Sequence, residues 1–109
     1  MSRAKGNIAE QKAVKFLEED NYTIVETNFY SRFGEIDIIA TKDNILHFIE
    51  VKSGLDFELA IQNITPKKIS RLIKTADVYM KKNALNLDYM FDGVVVTPQN
   101  IEIVENITL

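Results

Sequence analysis

The chain has 109 residues, of which 46% are hydrophobic and 27% charged, and a net charge of −3. That is the length of one domain with an ordinary globular mix, which excludes a disordered, collagen-like or low-complexity chain and leaves a single domain over 1–109. With no cysteine and one histidine, His47, the chain lacks the means for a disulfide framework, thiolate zinc site, cysteine nucleophile or multi-histidine metal centre.

The opening Met1-Ser2-Arg3-Ala4-Lys5-Gly6 runs into mixed polar sequence rather than an apolar signal core. No stretch approaches the ~18 apolar residues of a membrane span, so no membrane partner and a cytoplasmic location are expected. After Gly6, Ala9, Ala13, Phe16 and Leu17 recur at spacings of three and four and predict a helix from about Asn7 to Glu19. Asp20-Asn21 breaks it. Tyr22 to Phe29 then reads as a strand from its β-branched and aromatic content, and Ser31 to Gly34 as a connection. Glu35–Ala40 and Ile45–Lys52 are two further strands, joined by a hairpin turn over Thr41-Lys42-Asp43-Asn44.

Residues 54–63 fit either a helical turn or an irregular loop. Thr65-Pro66 is an N-cap followed by proline at the first helical position, opening a helix to about Lys82 with Ile69, Leu72, Ile73, Ala76, Tyr79 and Met80 along one side. Asp92–Thr97 is a valine-rich strand suited to burial on both faces, and Ile101–Val104 a short edge strand beyond the Pro98-Gln99-Asn100 turn. The order α-β-β-β-α-β-β, with a helical crossover before the fourth strand, predicts an α/β fold: a mixed sheet with helices packed on its faces.

The period of two along a strand places Glu35, Asp37 and Ile39 on one face, with Ile36, Ile38 and Ala40 on the other. In the next strand Leu46, Phe48, Glu50 and Lys52 share a face opposite His47, which disfavours a catalytic histidine. Folded as a hairpin, the two strands make Asp37 and Glu50 near cross-strand neighbours. Two such carboxylates repel unless a cation or proton lies between them. Across that hairpin the spacing is an acid, then thirteen positions later an acid, one apolar residue and a lysine, the pattern of metal-dependent phosphodiester cleavage.

The residue types suit that chemistry. Asp37 and Glu50, with the Val51 carbonyl, offer hard oxygen ligands to Mg2+ or Mn2+. A bound ion activates water and polarises phosphorus. Lys52 can orient the attacking water or stabilise transition-state charge. On the first helix Glu10 falls within the arc of Ala13, Val14 and Leu17, on the side facing the sheet, where it can join the metal through water or a second site. The plainer alternatives are a helix-border acid for Glu10 and a salt-bridged strand end for Asp37 and Glu50, with Lys52 as partner.

Gly6-x-x-x-Glu10-x-x-Ala13, Asn28, Gly34-Glu35-Ile36-Asp37 and Phe48-Ile49-Glu50-Val51-Lys52 resemble the YraN family, bacterial proteins that themselves resemble the PD-(D/E)XK endonuclease superfamily. The likeness runs from about Gly6 to Val96. It implies a restriction-endonuclease-like fold related in outline to Holliday-junction resolvases. It also implies that Asp37, Glu50 and Lys52 stand at catalytic positions, Glu10 as the helix acid, and Lys68 and Arg71 at basic positions of the later helix. Gly54 and Met90 stand where the family commonly carries arginine, which predicts weaker phosphate contacts there.

The helix from Pro66 to Lys82 carries six basic residues and one acid, Asp77. Lys67, Arg71, Lys74, Lys81 and Lys82 form a stripe opposite its apolar side, suited either to a phosphate backbone or simply to solvent. Arg32, beside Tyr30 and Phe33 in the first connection, is a further candidate contact. No helix-turn-helix, zinc finger or aromatic ribonucleoprotein motif offers base readout. The expectation is a Mg2+- or Mn2+-dependent nuclease-like protein acting on DNA, with RNA as an alternative partner, selective for structure rather than sequence. A homodimer would suit a two-strand substrate. The competing expectation is a non-enzymatic nucleic-acid- or partner-binding module that retains a vestigial metal site.

Overall fold

A computed structural model describes residues 2–108, with side chains described for residues 8–108. Met1, Leu109 and the side chains of the opening stretch through Asn7, with Gly6 of the family motif, lie outside the described residues. The elements are α1 (Ser2–Glu19), β1 (Thr23–Ser31), β2 (Gly34–Lys42), β3 (Ile45–Ser53), α2 (Phe57–Ile61), α3 (Pro66–Lys82), β4 (Asp88–Val96) and β5 (Ile101–Val104). The strands form one mixed sheet in the order β1-β2-β3-β4-β5. Every neighbouring pair is antiparallel except β3 and β4, which the α2–α3 crossover makes parallel.

Local chemistry sets the boundaries. α1 stops where Asn21 takes a left-handed φ of 68° and the Tyr22 N–H returns to the Leu17 carbonyl at 3.0 Å, a Schellman closure. The hairpin between β2 and β3 turns on Asp43 and Asn44, both at positive φ, as a tight two-residue turn requires. Thr65 caps α3 by accepting from the Lys68 N–H at 3.2 Å, with Pro66 in the first turn.

Each face of the sheet carries its own core layer. On one side Ala9, Ala13 and Leu17 of α1 pack on Tyr22, Ile38, Ala40, Ile49, Val94 and Val96. On the other, Leu72, Ala76 and Tyr79 of α3 pack on Phe29, Ile36, Ile39, Leu46, Phe48 and Phe91. At ~1.5–3 kcal/mol for each fully buried large apolar side chain, these two layers are the main source of stability.

Four sequence expectations are corrected. α1 begins at Ser2 rather than Asn7; the expected Ser31–Gly34 connection is there, as a tight Arg32-Phe33 turn whose ends pair with each other. β4 begins at Asp88 rather than Asp92, because parallel pairing from Ile45↔Asp88 recruits four residues whose own pattern is too mixed to announce a strand. On α3, Ile73 is 42% exposed, whereas Thr75 is buried and shares a hydrogen bond with Ser31 at 3.0 Å.

The fourth correction creates the site. Ile36 packs on the α3 side with Ile39 and Phe48, while Ile38 and Ala40 pack on the α1 side. A regular strand would send Ile36 and Ile38 the same way, so the face reverses at Asp37. On β1 the residue flanked by the same two pairs, Thr27↔Ile38 and Phe29↔Ile36, is Asn28, with a left-handed φ of 55°. Asparagine tolerates that conformation better than most residues.

Candidate active site

Antiparallel pairing between β2 and β3 runs from Lys42↔Ile45 to Ile38↔Ile49 and goes no further, although both strands continue. Past that point β3 remains paired with β4 on its other edge. Asp37 stands at the fork. Its Oδ2 accepts the Val51 backbone N–H at 2.7 Å, taking the place of a strand carbonyl. The carboxylate is thus drawn in among the strands and is 8% exposed.

Glu50 is the next residue of β3 beyond its last pair with β2, and the electrostatic fields of Asp37 and Glu50 overlap. Lys52, two residues on and therefore on the same face, holds its ammonium 3.3 Å from Glu50 Oε1. Burial, then the charges of Glu50, Glu10 and Glu35, push the Asp37 carboxyl up to about 8, against the lowering effect of the Val51 N–H. Burial also raises Glu50, with Lys52 and Lys68 pulling it back down. The pair is therefore short of positive charge even with Lys52 in contact.

Two further acids border the pair. The side-chain amide of Asn28 donates one bond to Glu10 Oε1 at 2.8 Å and another to Glu35 Oε2 at 3.0 Å. One residue of β1 thereby ties the helix acid to the acid two positions before Asp37. Glu10 is thus half-buried and held by Asn28, and among the described residues it forms no salt bridge with a lysine. On the other side Lys68, in the first turn of α3, is half-buried, and its ammonium is pushed down chiefly by the charge of Lys52.

The structure brings Asp37, Glu50 and Lys52 together, with Val51 contributing its N–H, Glu10 at the margin through Asn28, and Lys68 alongside. Lys67, Arg71 and Lys74 lie exposed on α3, and Arg32 at the β1–β2 turn. Sequence reasoning missed Glu35 and Asn28 as members of the group. Both stand in the family motif, and the strand period places Glu35 with Asp37, so those were usable signals, but nothing local announced that Asn28 would leave the β conformation. His47 lies elsewhere, with Nδ1 2.6 Å from the buried Asp92.

Residues 9–96 match the family described as "Uncharacterised protein family UPF0102". The chain belongs to this family. A "UPF0102 protein" of Sulfurimonas denitrificans is 67% identical over 109 residues, the full length of both chains. One of Aliarcobacter butzleri is 53% identical over 110 residues, again covering both in full. "UPF0102 protein HPAG1_0809" of Helicobacter pylori is 48% identical over 106 residues, 97% of this chain and 92% of that one. Membership agrees with the YraN resemblance, and the matched span of this UPF0102 chain contains the whole side-chain group described above.

Among the described residues no group of three or more histidines, aspartates or glutamates is spaced to hold a metal ion alone. The donors at the fork are hard oxygens from two carboxylates. That set fits Mg2+ or Mn2+ bound in an open manner, since Mg2+ usually takes one or two carboxylates and completes its shell with water and substrate phosphate. It does not fit an all-protein cage. No described helix is long and apolar enough to cross a membrane.

Proposed function

We propose that this UPF0102 protein is a metal-dependent nuclease-like hydrolase of DNA phosphodiesters, selecting its substrate by structure rather than sequence. The observation that carries the reading is the Asp37–Glu50 pair: two acids drawn out of water side by side, with Lys52 and one backbone N–H as the near partners. Such an arrangement costs stability unless positive charge is added, and a function that supplies it explains the expense.

Asp37 and Glu50 would hold Mg2+ or Mn2+, which when bound supplies Lewis-acid polarisation and an activated water. Lys52, restrained by Glu50, presents its ammonium to the negative charge that develops on a phosphate during attack. Lys68 adds a second cation beside it. Lys67, Arg71, Lys74 and Arg32 continue the positive surface and give the phosphate backbone a track. Among the described residues no element presents side chains in the manner of a base-reading motif, which supports recognition by backbone and shape.

The test is cleavage of linear, flapped and four-way-junction DNA with Mg2+ or Mn2+. Wild type is expected to cut, and Asp37→Ala and Lys52→Ala to lose about 100-fold or more of kcat. Activity surviving both substitutions would belong to a contaminant and end the nuclease reading. A second reading, a binding module with a vestigial site, is favoured by Gly54: a Cβ there would stand 3.2 Å from the Ala60 Cβ of α2, so the packing leaves little room for the family's arginine. That reading expects DNA binding without turnover in either metal. A divalent-cation stabilisation that Glu50→Ala abolishes is expected under both.

A further inference from the structure

A second feature lies along α3, away from the acids. Between α3 and the start of β4 runs a cleft of about 640 Å3, lined mainly by apolar side chains, with Phe33 and Lys74 among its walls and Tyr89 and Phe91 along β4. That volume falls in the range of small-molecule sites. Tyr89 is 53% exposed, yet its ring is not loose. It lies roughly perpendicular to Phe48 at 6.1 Å and to Phe91 at 5.8 Å, both buried in the core, so a braced and half-exposed aromatic ring lines the cleft.

The Phe33 wall is cationic. The Arg32 guanidinium lies 4.8 Å from the Phe33 ring centroid and the Lys74 ammonium 5.7 Å. These are two of the cations that continue the phosphate track from Lys68 and Arg71. The acid in the cleft wall, Asp77, is engaged by Lys81 at 3.0 Å and leaves Lys74 uncompensated by it. An exposed aromatic ring in a cleft whose Phe33 wall carries lysine and arginine is a combination suited to unpaired nucleotides, whose bases stack while their phosphates meet the cations. A duplex, with its bases stacked inside, has no face to offer Tyr89.

We propose that this cleft takes an unpaired nucleobase, stacked on Tyr89, with the adjoining phosphates against Lys74 and Arg32, so that the substrate class is nucleic acid with a single-stranded segment some way along α3 from the cleavage point. Only the placement relative to the cut rests on the nuclease reading. The single-strand site itself is independent of it.

Fluorescence anisotropy in EDTA, with a labelled 20-nucleotide single strand and a blunt duplex of the same sequence, separates the two. Wild type is expected to bind the single strand more tightly than the duplex. Tyr89→Ser is expected to weaken single-strand binding about tenfold and leave duplex binding unchanged, while Tyr89→Phe retains wild-type affinity. Tyr89→Leu, which keeps apolar bulk without an aromatic face, is expected to behave as the serine variant. Equal affinity of wild type and Tyr89→Leu would overturn the stacking site, as would duplex binding as tight as single-strand binding. Failure to bind either oligonucleotide would also overturn it. Tyr89-dependent single-strand binding without cleavage in Mg2+ or Mn2+ would remove the nuclease reading and leave this site standing.

Discussion

Asp37 carries two burdens, since it completes the backbone bonding of β3 at Val51 and sits buried against Glu50. Its carboxyl, pushed up to about 8 from an ordinary 3.8, binds a proton in the folded state that the unfolded chain has already released. The folded protein therefore has its full stability from this residue below about pH 4 and loses it as pH rises through about 8. The slope from one proton is at most about 1.4 kcal/mol per pH unit. Thermal unfolding of metal-free protein across that range is expected to show the fall, and Asp37→Asn to flatten it. A wild-type Tm that rises steadily from pH 5 to pH 8 would contradict the buried pair. Added Mg2+ is expected to raise Tm more at pH 8 than at pH 5, because the ionised pair is the better ligand.

At the scale of elements, the site exists because a helix and three strands meet where their regular pairing stops. Asn28 is the join. Its amide spans Glu10 of α1 and Glu35 of β2, and its left-handed backbone lies where the sheet face reverses. Asn28→Ala is expected to lose about 2–3 kcal/mol in urea unfolding, combining two lost charge-assisted hydrogen bonds with the strain of alanine at positive φ. Asn28→Gly is expected to recover about 1 kcal/mol of that, since glycine bears the conformation without strain. A glycine variant no more stable than the alanine one would show that the backbone contributes nothing. The side-chain contact with Glu10 could not be read from α1 alone, where a border acid facing solvent fits the helical pattern equally well.

At the scale of the whole molecule, β4 binds the sheet to the C-terminal segment. Asp92 is fully buried on it, with one carboxylate oxygen 2.6 Å from His47 Nδ1 of β3 and the other accepting the Asn106 N–H at 2.9 Å. The Ile107 N–H adds a bond to the Phe91 carbonyl at 2.8 Å. His47 in turn lies edge-on to Tyr22, at the end of α1, with ring centroids 5.1 Å apart. Asp92→Ala would strand His47 in a buried site and remove the acceptor of the Asn106 N–H, and is expected to cost about 3 kcal/mol, measured by chemical denaturation. A loss below about 0.5 kcal/mol would mean that the segment is held by its other contacts. These residues supply the structural role that the position of His47, opposite Glu50, predicts.

Element order, the mixed sheet, the α3 cap and the Asp37–Glu50 hairpin are all legible in the sequence, because each depends on local period, turn chemistry or a spacing across a short turn. The strand period was also what misled. Applied rigidly it puts Ile36 with Ile38, and only the packing of α1 and α3 on opposite faces shows the reversal at Asp37. The early start of β4, the recruitment of Asn28 and Glu35, and the cleft under Tyr89 likewise arise between elements distant in the chain. Local propensity carries no information about such neighbours, so tertiary packing alone decided them.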